Sequence, residues 1–187
     1  MSHTINNERR SNRLKGYDYS QPGGYFVTIC TMNKTNNLGN VEDGRVILSF
    51  TGKTVEACWL GIPKHFPDLF LDEWVIMPNH MHGIIFILDA GRGEAFAEDP
   101  NQMMRRTANA SPLRHPKGTT PSSLGAIIQN FKSISTRKVN QLHDTPGNPL
   151  WQRGFYDRVI RNEKELDRIR RYIAENPLKW VLDPYHI

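Results

Sequence analysis

Cysteine is scarce in this chain. Of 187 residues only Cys30 and Cys58 are thiols, and no C-x-x-C pair occurs. That excludes a disulfide framework and a thiolate zinc site, and it fits a reducing cytoplasm. Long apolar runs are missing too. The longest have the length of a strand, far below the roughly 20 residues of a membrane span. The stretch from Met1 to Lys15 is polar and basic, without the apolar centre of a secretory leader. No G-x-x-x-x-G-K-[ST], G-x-S-x-G, H-E-x-x-H or strand-borne G-x-G-x-x-G occurs either. The common nucleotide-binding, serine-hydrolase, zinc-protease and dinucleotide signatures therefore do not apply.

What remains is ordinary for one globular domain, 38% hydrophobic and 23% charged, with a basic tilt. Lys and Arg outnumber Asp and Glu by 24 to 19, a formal charge of +5, which suits a polyanionic partner. Residues 1–24 read as a basic arm carrying Arg9, Arg10, Arg13 and Lys15, residues 25–180 as a single domain, and residues 181–187 as a tail.

Within the domain, Tyr25 to Met32 alternates and is rich in β-branched and aromatic residues, the pattern of a strand. Residues 33–40 carry turn chemistry. Arg45 to Phe50 reads as a shorter strand, and Thr51 as the cap of a helix over about 52–65. Leu69 to Met77 and His80 to Leu88 form a predicted hairpin about Pro78-Asn79, its second strand apolar on both faces and so central. Residues 89–121 hold no periodicity and read as an insertion loop. Ser122 or Ser123 opens a helix to about Leu142, and Leu150 to Ile160 reads as a strand interrupted at Gly154. Asn162, with Glu165 three residues on, opens a last helix that Pro177 stops. The order β-β-α-β-β-α-β-α predicts an α+β fold with helices packed on one antiparallel sheet.

Chemistry concentrates in two places. His80 and His82 stand two apart on the predicted central strand, so both imidazoles share a face, with Cα atoms about 6.6 Å apart, within reach of one divalent ion. An isolated H-x-H is more often a pair of hydrogen-bonded core histidines. On the last helix, Tyr172 and Asn176 lie one turn apart on one face. The stripe of Leu166, Ile169 and Ile173 puts Tyr172 at the edge of the buried face. Taken singly, the tyrosine is a packing residue and the asparagine a helix terminator. Taken with the histidines, they complete a set of one hydroxyl nucleophile, two imidazoles and an amide oxygen. That mixed nitrogen and oxygen ligation suits Mg²⁺ or Mn²⁺ acting on a phosphate. Attack by Tyr172 would give a 5′-phosphotyrosine and a free 3′-hydroxyl, a nearly isoenergetic exchange of phosphodiesters that allows rejoining without ATP. Lys132, Arg137 and Lys138 lie outside the centre of their helix's apolar stripe. Arg153, Arg158 and Arg161 could track a nucleic-acid backbone or simply face water. Cys30 reads as a small core residue.

The segments WVIMPNHMHGIIFI (74–87), SLGAIIQNFKSISTRKVN (123–140) and LWQRGFYDRVIRNEKELDRIRRYIAENPLKW (150–180) resemble the REP-associated tyrosine transposases, a branch of the single-tyrosine HUH transposases. The resemblance runs from about Gly16 to Trp180. It implies a ferredoxin-like, RRM-like antiparallel sheet with helices mainly on one face. It also implies His80 and His82 as ligands of Mg²⁺ or Mn²⁺, and Tyr172 as the nucleophile of a Tyr-Ile-x-x-Asn-Pro signature. Asn176 falls where related insertion-sequence enzymes place Gln as a third ligand, and its side chain is shorter. Tyr156, a rival phenol, lies off the signature. The implied substrate is single-stranded DNA with palindromic, REP-like hairpins, handled by a monomer or homodimer in the bacterial cytoplasm at the nucleoid. Arg13, Lys15, Lys132, Arg137, Lys138, Arg153, Arg158 and Arg161 are the candidate DNA contacts. A non-catalytic DNA-binding regulator that keeps the fold is the alternative, and a phosphohydrolase using H-x-H without Tyr172 is a third class.

Overall fold

The computed structural model describes Leu14, residues 16–89 and residues 122–186. Arg13, Lys15 and the expected insertion loop beyond Asp89 lie outside the described residues. The elements are β1 (Gly23–Cys30), β2 (Gly39–Glu42), β3 (Arg45–Leu48), α1 (Phe50–Leu60), α2 (Ile62–His65), β4 (Leu69–Ile76), β5 (His80–Ile87), α3 (Leu124–His143), β6 (Tyr156–Ile160) and α4 (Glu163–Glu175), followed by a 3-10 turn at Pro177–Leu182.

Four strands form one sheet in the order β4-β5-β1-β6, and every pairing is antiparallel. With α1 and α3 as crossovers this is the split β-α-β-β-α-β arrangement of the ferredoxin-like fold. Alternation along the strands then makes two cores. Tyr25, Val27 and Ile29 of β1 and Met81, Ile85 and Ile87 of β5 pack with Val55 and Trp59 of α1 and Ile127, Ile128 and Phe131 of α3. On the opposite face, Phe26, Ile84, Phe86 and Ile160 pack with Leu166, Ile169 and Ile173 of α4. Two long helices thus share one face, and the third covers the other. β5 is buried at every position, as a strand covered on both sides must be.

Gly83 explains how α1 comes so close to β5. A Cβ there would lie 2.4 Å from Cζ2 of Trp59, whose ring is fully buried, so only glycine admits the indole.

The structure departs from the sequence reading at several local points, among them the helix expected over 52–65, which is divided at Gly61 into α1 and α2. Residues 39 and 40, read as the end of the turn, belong instead to a strand, Gly39–Glu42, paired with β3 in a separate two-stranded hairpin. Its turn is Asp43-Gly44, both at positive φ (48° and 71°), the conformation of a two-residue hairpin loop. Ser49, not Thr51, caps α1 by accepting the Gly52 amide at 3.0 Å, and Thr51 instead bonds His143 Nε2 at 2.7 Å. The strand expected from Leu150 pairs in full only from Tyr156. Upstream, Trp151 makes a single bridge to Thr31, and Lys132 Nζ donates to the carbonyls of Gln152, Arg153 and Gly154. An ammonium occupies the acceptors that a neighbouring strand would have used.

Candidate active site

The site lies at one end of the face covered by α4. His82 pairs across the sheet with Val75 on β4 and Thr28 on β1, and Thr28 pairs in turn with Tyr156 on β6. These side chains therefore form one row, with His80 at the mouth of the β4–β5 turn. Both histidines are buried, at 0% and 1% exposure. Their Nε2 atoms face each other at 3.1 Å, while their Nδ1 atoms are held from behind. Asn79 Oδ1 meets His80 Nδ1 at 2.9 Å, and Thr28 Oγ1 meets His82 Nδ1 at 2.8 Å. Because a carboxamide oxygen only accepts, His80 carries its proton on Nδ1 and presents a bare Nε2. Thr28 can donate or accept, so its hydroxyl suits either tautomer of His82.

Burial pushes His80 down to about 4, against the upward pull of Asp183, and pushes His82 well below the usual imidazole range, with His80 adding to the effect. Both rings are consequently neutral near pH 7 and able to ligate. Two ligands at a right angle, each about 2.1 Å from a shared ion, stand about 3 Å apart, so the 3.1 Å separation fits a cation between them.

α4 brings the phenol. Asn162 caps its first turn by accepting the Glu165 amide at 2.9 Å. Glu165 reaches back to the Arg161 amide at 3.0 Å and to Arg158 Nε at 2.6 Å, rather than to the cap residue's own amide. Leu166, Ile169 and Ile173 seat the helix on the sheet, and Tyr172 stands at the edge of that stripe, 41% exposed. Its hydroxyl lies 3.2 Å from His82 Nε2, and its ring is T-shaped to His82 at 5.1 Å and to Phe26 at 6.0 Å. Burial raises the phenol above its ordinary pKa, with the Asp183 charge in the same direction and Asn176 partly offsetting both. The group is therefore protonated near neutral pH.

Asn176 is buried one turn further on, at 3% exposure. Its Nδ2 donates to Asp183 Oδ2 at 3.1 Å, and its Oδ1 is buried without a hydrogen-bond partner among the described residues. Asp183 is the site residue that the sequence reading missed. The 3-10 turn after Asn176 carries the chain round so that Asp183 Oδ2 comes within 4.0 Å of His80 Nε2. His80, His82 and Asp183 form a buried cluster whose ligand atoms lie within 4.8 Å of one another. The one local hint is an acidic residue in the otherwise apolar Trp180-Val181-Leu182-Asp183-Pro184. Tyr185 follows, its ring 4.6 Å from that of His80 and its carbonyl accepting from Asn79 Nδ2 at 2.8 Å.

The candidate DNA contacts are spread more widely. Tyr156 and Arg158 lie on the histidine face of β6, and Arg158 is ion-paired to Glu165 at 2.6 Å. Arg153 and Arg161 are exposed. Arg137 and Lys138 are exposed on α3, which covers the other face of the sheet. Lys132 is spent on the three carbonyls at 152–154.

No family model matches the chain. An uncharacterized protein of Haemophilus influenzae (strain Rd) is 38% identical over 182 residues, spanning 96% of this chain and 93% of its own length. Among solved structures, that of a REP-associated tyrosine transposase bound to a REP hairpin matches with a TM-score of 0.53 at 20% identity, over 90% of this chain and 72% of that one. Among the described residues, no helix is long and apolar enough to cross a membrane.

Proposed function

We propose a metal-dependent DNA nicking and strand-transfer activity for this chain, which belongs to one family with the Haemophilus influenzae protein and has the fold of a REP-associated tyrosine transposase. One observation carries the reading. Tyr172 Oη, His82 Nε2 and His80 Nε2 follow one another at 3.2 and 3.1 Å, so a phenol from the last helix meets a chelating pair from the central sheet. A hydroxyl of that kind needs help at neutral pH, and the pair is built to hold what helps it.

His80 and His82 would hold the ion, with the unpartnered Oδ1 of Asn176 as an oxygen ligand. Bound Mg²⁺ or Mn²⁺ supplies a Lewis acid that grips the scissile phosphate and stabilises the departing 3′ oxygen. Thr28 and Asn79 hold the rings by their Nδ1 atoms, so that both Nε2 atoms would be available to a shared ion. Tyr172 Oη forms the new bond to phosphorus as the P–O3′ bond breaks, and the phenolic proton ends on the 3′-hydroxyl. The product is a 5′-phosphotyrosine, and the reverse attack by a 3′-hydroxyl rejoins a strand.

Single-stranded DNA bearing a REP-like hairpin is the substrate that fits. Tyr156, 37% exposed in the row of His82 and Thr28, offers a base a surface to stack on, and Arg158 on the same strand face offers a cation. The reaction belongs in the cytoplasm, at the nucleoid.

The deciding experiment incubates the protein and Mn²⁺ with a labelled single-stranded oligonucleotide containing a hairpin. Wild type should form a covalent adduct that survives denaturing electrophoresis, and Tyr172→Phe should form none while still binding. Adduct formation by Tyr172→Phe removes Tyr172 as nucleophile. Binding without nicking by wild type favours a regulatory DNA-binding protein instead.

A further inference from the structure

We propose that Asp183 is the anionic ligand of the metal site and also sets the carboxamide of Asn176, so that the free protein takes up its divalent ion before DNA arrives. The inference rests on the reading of His80 and His82 as metal ligands and extends it to the order of binding.

Two buried polar groups call for an explanation. The first is the Asp183 carboxylate, whose side chain is only 2% exposed. Removing an ion from water costs several kcal/mol unless a partner compensates. Oδ1 accepts the Tyr185 amide at 2.7 Å, and Oδ2 accepts Asn176 Nδ2 at 3.1 Å. Both donors are neutral. Among the described residues its one ion-pair partner is His80 Nε2 at 4.0 Å, the nitrogen that the Asn79 contact leaves without a proton. Lys34, the nearby cation, turns its ammonium to the Pro184 carbonyl at 3.5 Å. The carboxylate is thus buried beside the bare Nε2 of His80, with no full positive charge among the described residues to answer it.

The second group is Asn176 Oδ1, buried and unpartnered. Its orientation is not arbitrary. Asp183 can only accept, so the amide nitrogen must face it and the oxygen must face the other way. One carboxylate therefore does two things: it adds an oxygen to the site and it fixes which end of the neighbouring amide is free.

A cation held by the histidines would supply the missing positive charge, and the amide oxygen that Asp183 turns outward is free to ligate it. Two neutral imidazoles and an amide bring no negative charge to a hard divalent ion, and such a set would lean on the substrate phosphate to complete it. With Asp183 the set carries one negative charge of its own, half of what a divalent ion requires. The geometry accordingly points to uptake of the ion by the DNA-free chain.

Electron paramagnetic resonance of Mn²⁺ with the full-length, DNA-free protein tests this without any activity readout. Wild type should quench the free-ion signal. His80→Ala should not, and the isosteric Asp183→Asn should bind at least tenfold more weakly while melting in metal-free buffer near the wild-type temperature. If His80→Ala loses the ion and Asp183→Asn binds like wild type, the role of Asp183 is overturned and the histidine site stands. If wild type takes up no ion, uptake before DNA is overturned while a metal that arrives with the substrate phosphate still serves the proposed function; if His80→Ala takes the ion up equally, the metal reading itself falls, and this inference with it. Should Asp183→Asn not fold, the side-chain carboxyl ¹³C resonance of Asp183 in wild type decides the matter. It should move on adding Mg²⁺, and a stationary resonance overturns the proposal.

Discussion

Arg170 grips Asp72 from two nitrogens, Nη2 at 2.7 Å and Nε at 3.1 Å from Oδ2, and so ties α4 to β4 two residues before Tyr172. Asp72 sits where the β4–β5 register shifts between Leu71 and Trp74, a bulge that turns its carboxylate toward the helix. The pair is largely shielded from water, at 24% and 11% side-chain exposure, which separates it from ordinary surface ion pairs. Asp72→Ala should lower unfolding free energy by about 1–3 kcal/mol in urea titrations. Under the proposed function it should also slow adduct formation at saturating DNA, because the helix that aims the phenol has lost its anchor. A variant as stable and as fast as wild type would show that the apolar stripe alone positions Tyr172.

Tyr156 offers a second test. Its ring lies 6.3 Å from Phe26, which stacks on His82 at 5.4 Å, so a base placed on Tyr156 joins an aromatic series leading to the histidines. Tyr156→Ala should weaken single-strand binding by roughly 1–3 kcal/mol, and Tyr156→Phe should restore it. Fluorescence of 2-aminopurine beside the cleavage position reports the stacking directly. Equal quenching in wild type and Tyr156→Ala would remove the platform.

Lys132 was a candidate DNA contact on sequence grounds, but its ammonium holds the carbonyls of residues 152–154. Lys132→Ala should therefore lower thermal stability and leave the salt dependence of DNA binding nearly unchanged. Loss of a phosphate contact would instead reduce the slope of log K against log salt by about one.

The buried imidazoles predict acid lability in the metal-free protein. Burial holds His80 near 4 and His82 well below its usual range, while in the unfolded chain both titrate near 6.5. Between those limits the unfolded state binds protons that the native state refuses, so stability is complete above about pH 6.5 and is lost as pH falls toward 4. His80 alone accounts for roughly 3 kcal/mol of that loss. Urea unfolding across this interval checks it, and a flat profile would contradict two neutral, buried rings.

How much of this was legible before the structure depends on periodicity. His80 and His82 obey the two-residue repeat of a strand, and Tyr172 with Asn176 the four-residue repeat of a helix, so each pair could be read from spacing alone. Joining the pairs rested on the complementarity of their chemistry and then on the resemblance to a family, since no local rule says that residue 172 returns to residue 82. Thr28 stayed hidden because its partnership with His82 is a matter of cross-strand register. Asp183 stayed hidden because a 3-10 turn followed by irregular chain has no repeat to read. The four residues of β2 carry one apolar side chain, Val41, too short a pattern to separate strand from turn. Thr51 and Ser49 are both good caps, and the choice between them fell to His143, ninety-two residues away.

Thr28, His80, His82, Tyr172, Asn176 and Asp183 come from the first part, the middle and the end of the chain and meet only when β1, β5, α4 and the following turn are all in place. During synthesis the imidazoles emerge about half a chain ahead of the phenol and the carboxylate. Under the proposed function, a ribosome-bound product would hold the chelating pair without its nucleophile, and the activity would be complete only once translation had passed residue 183.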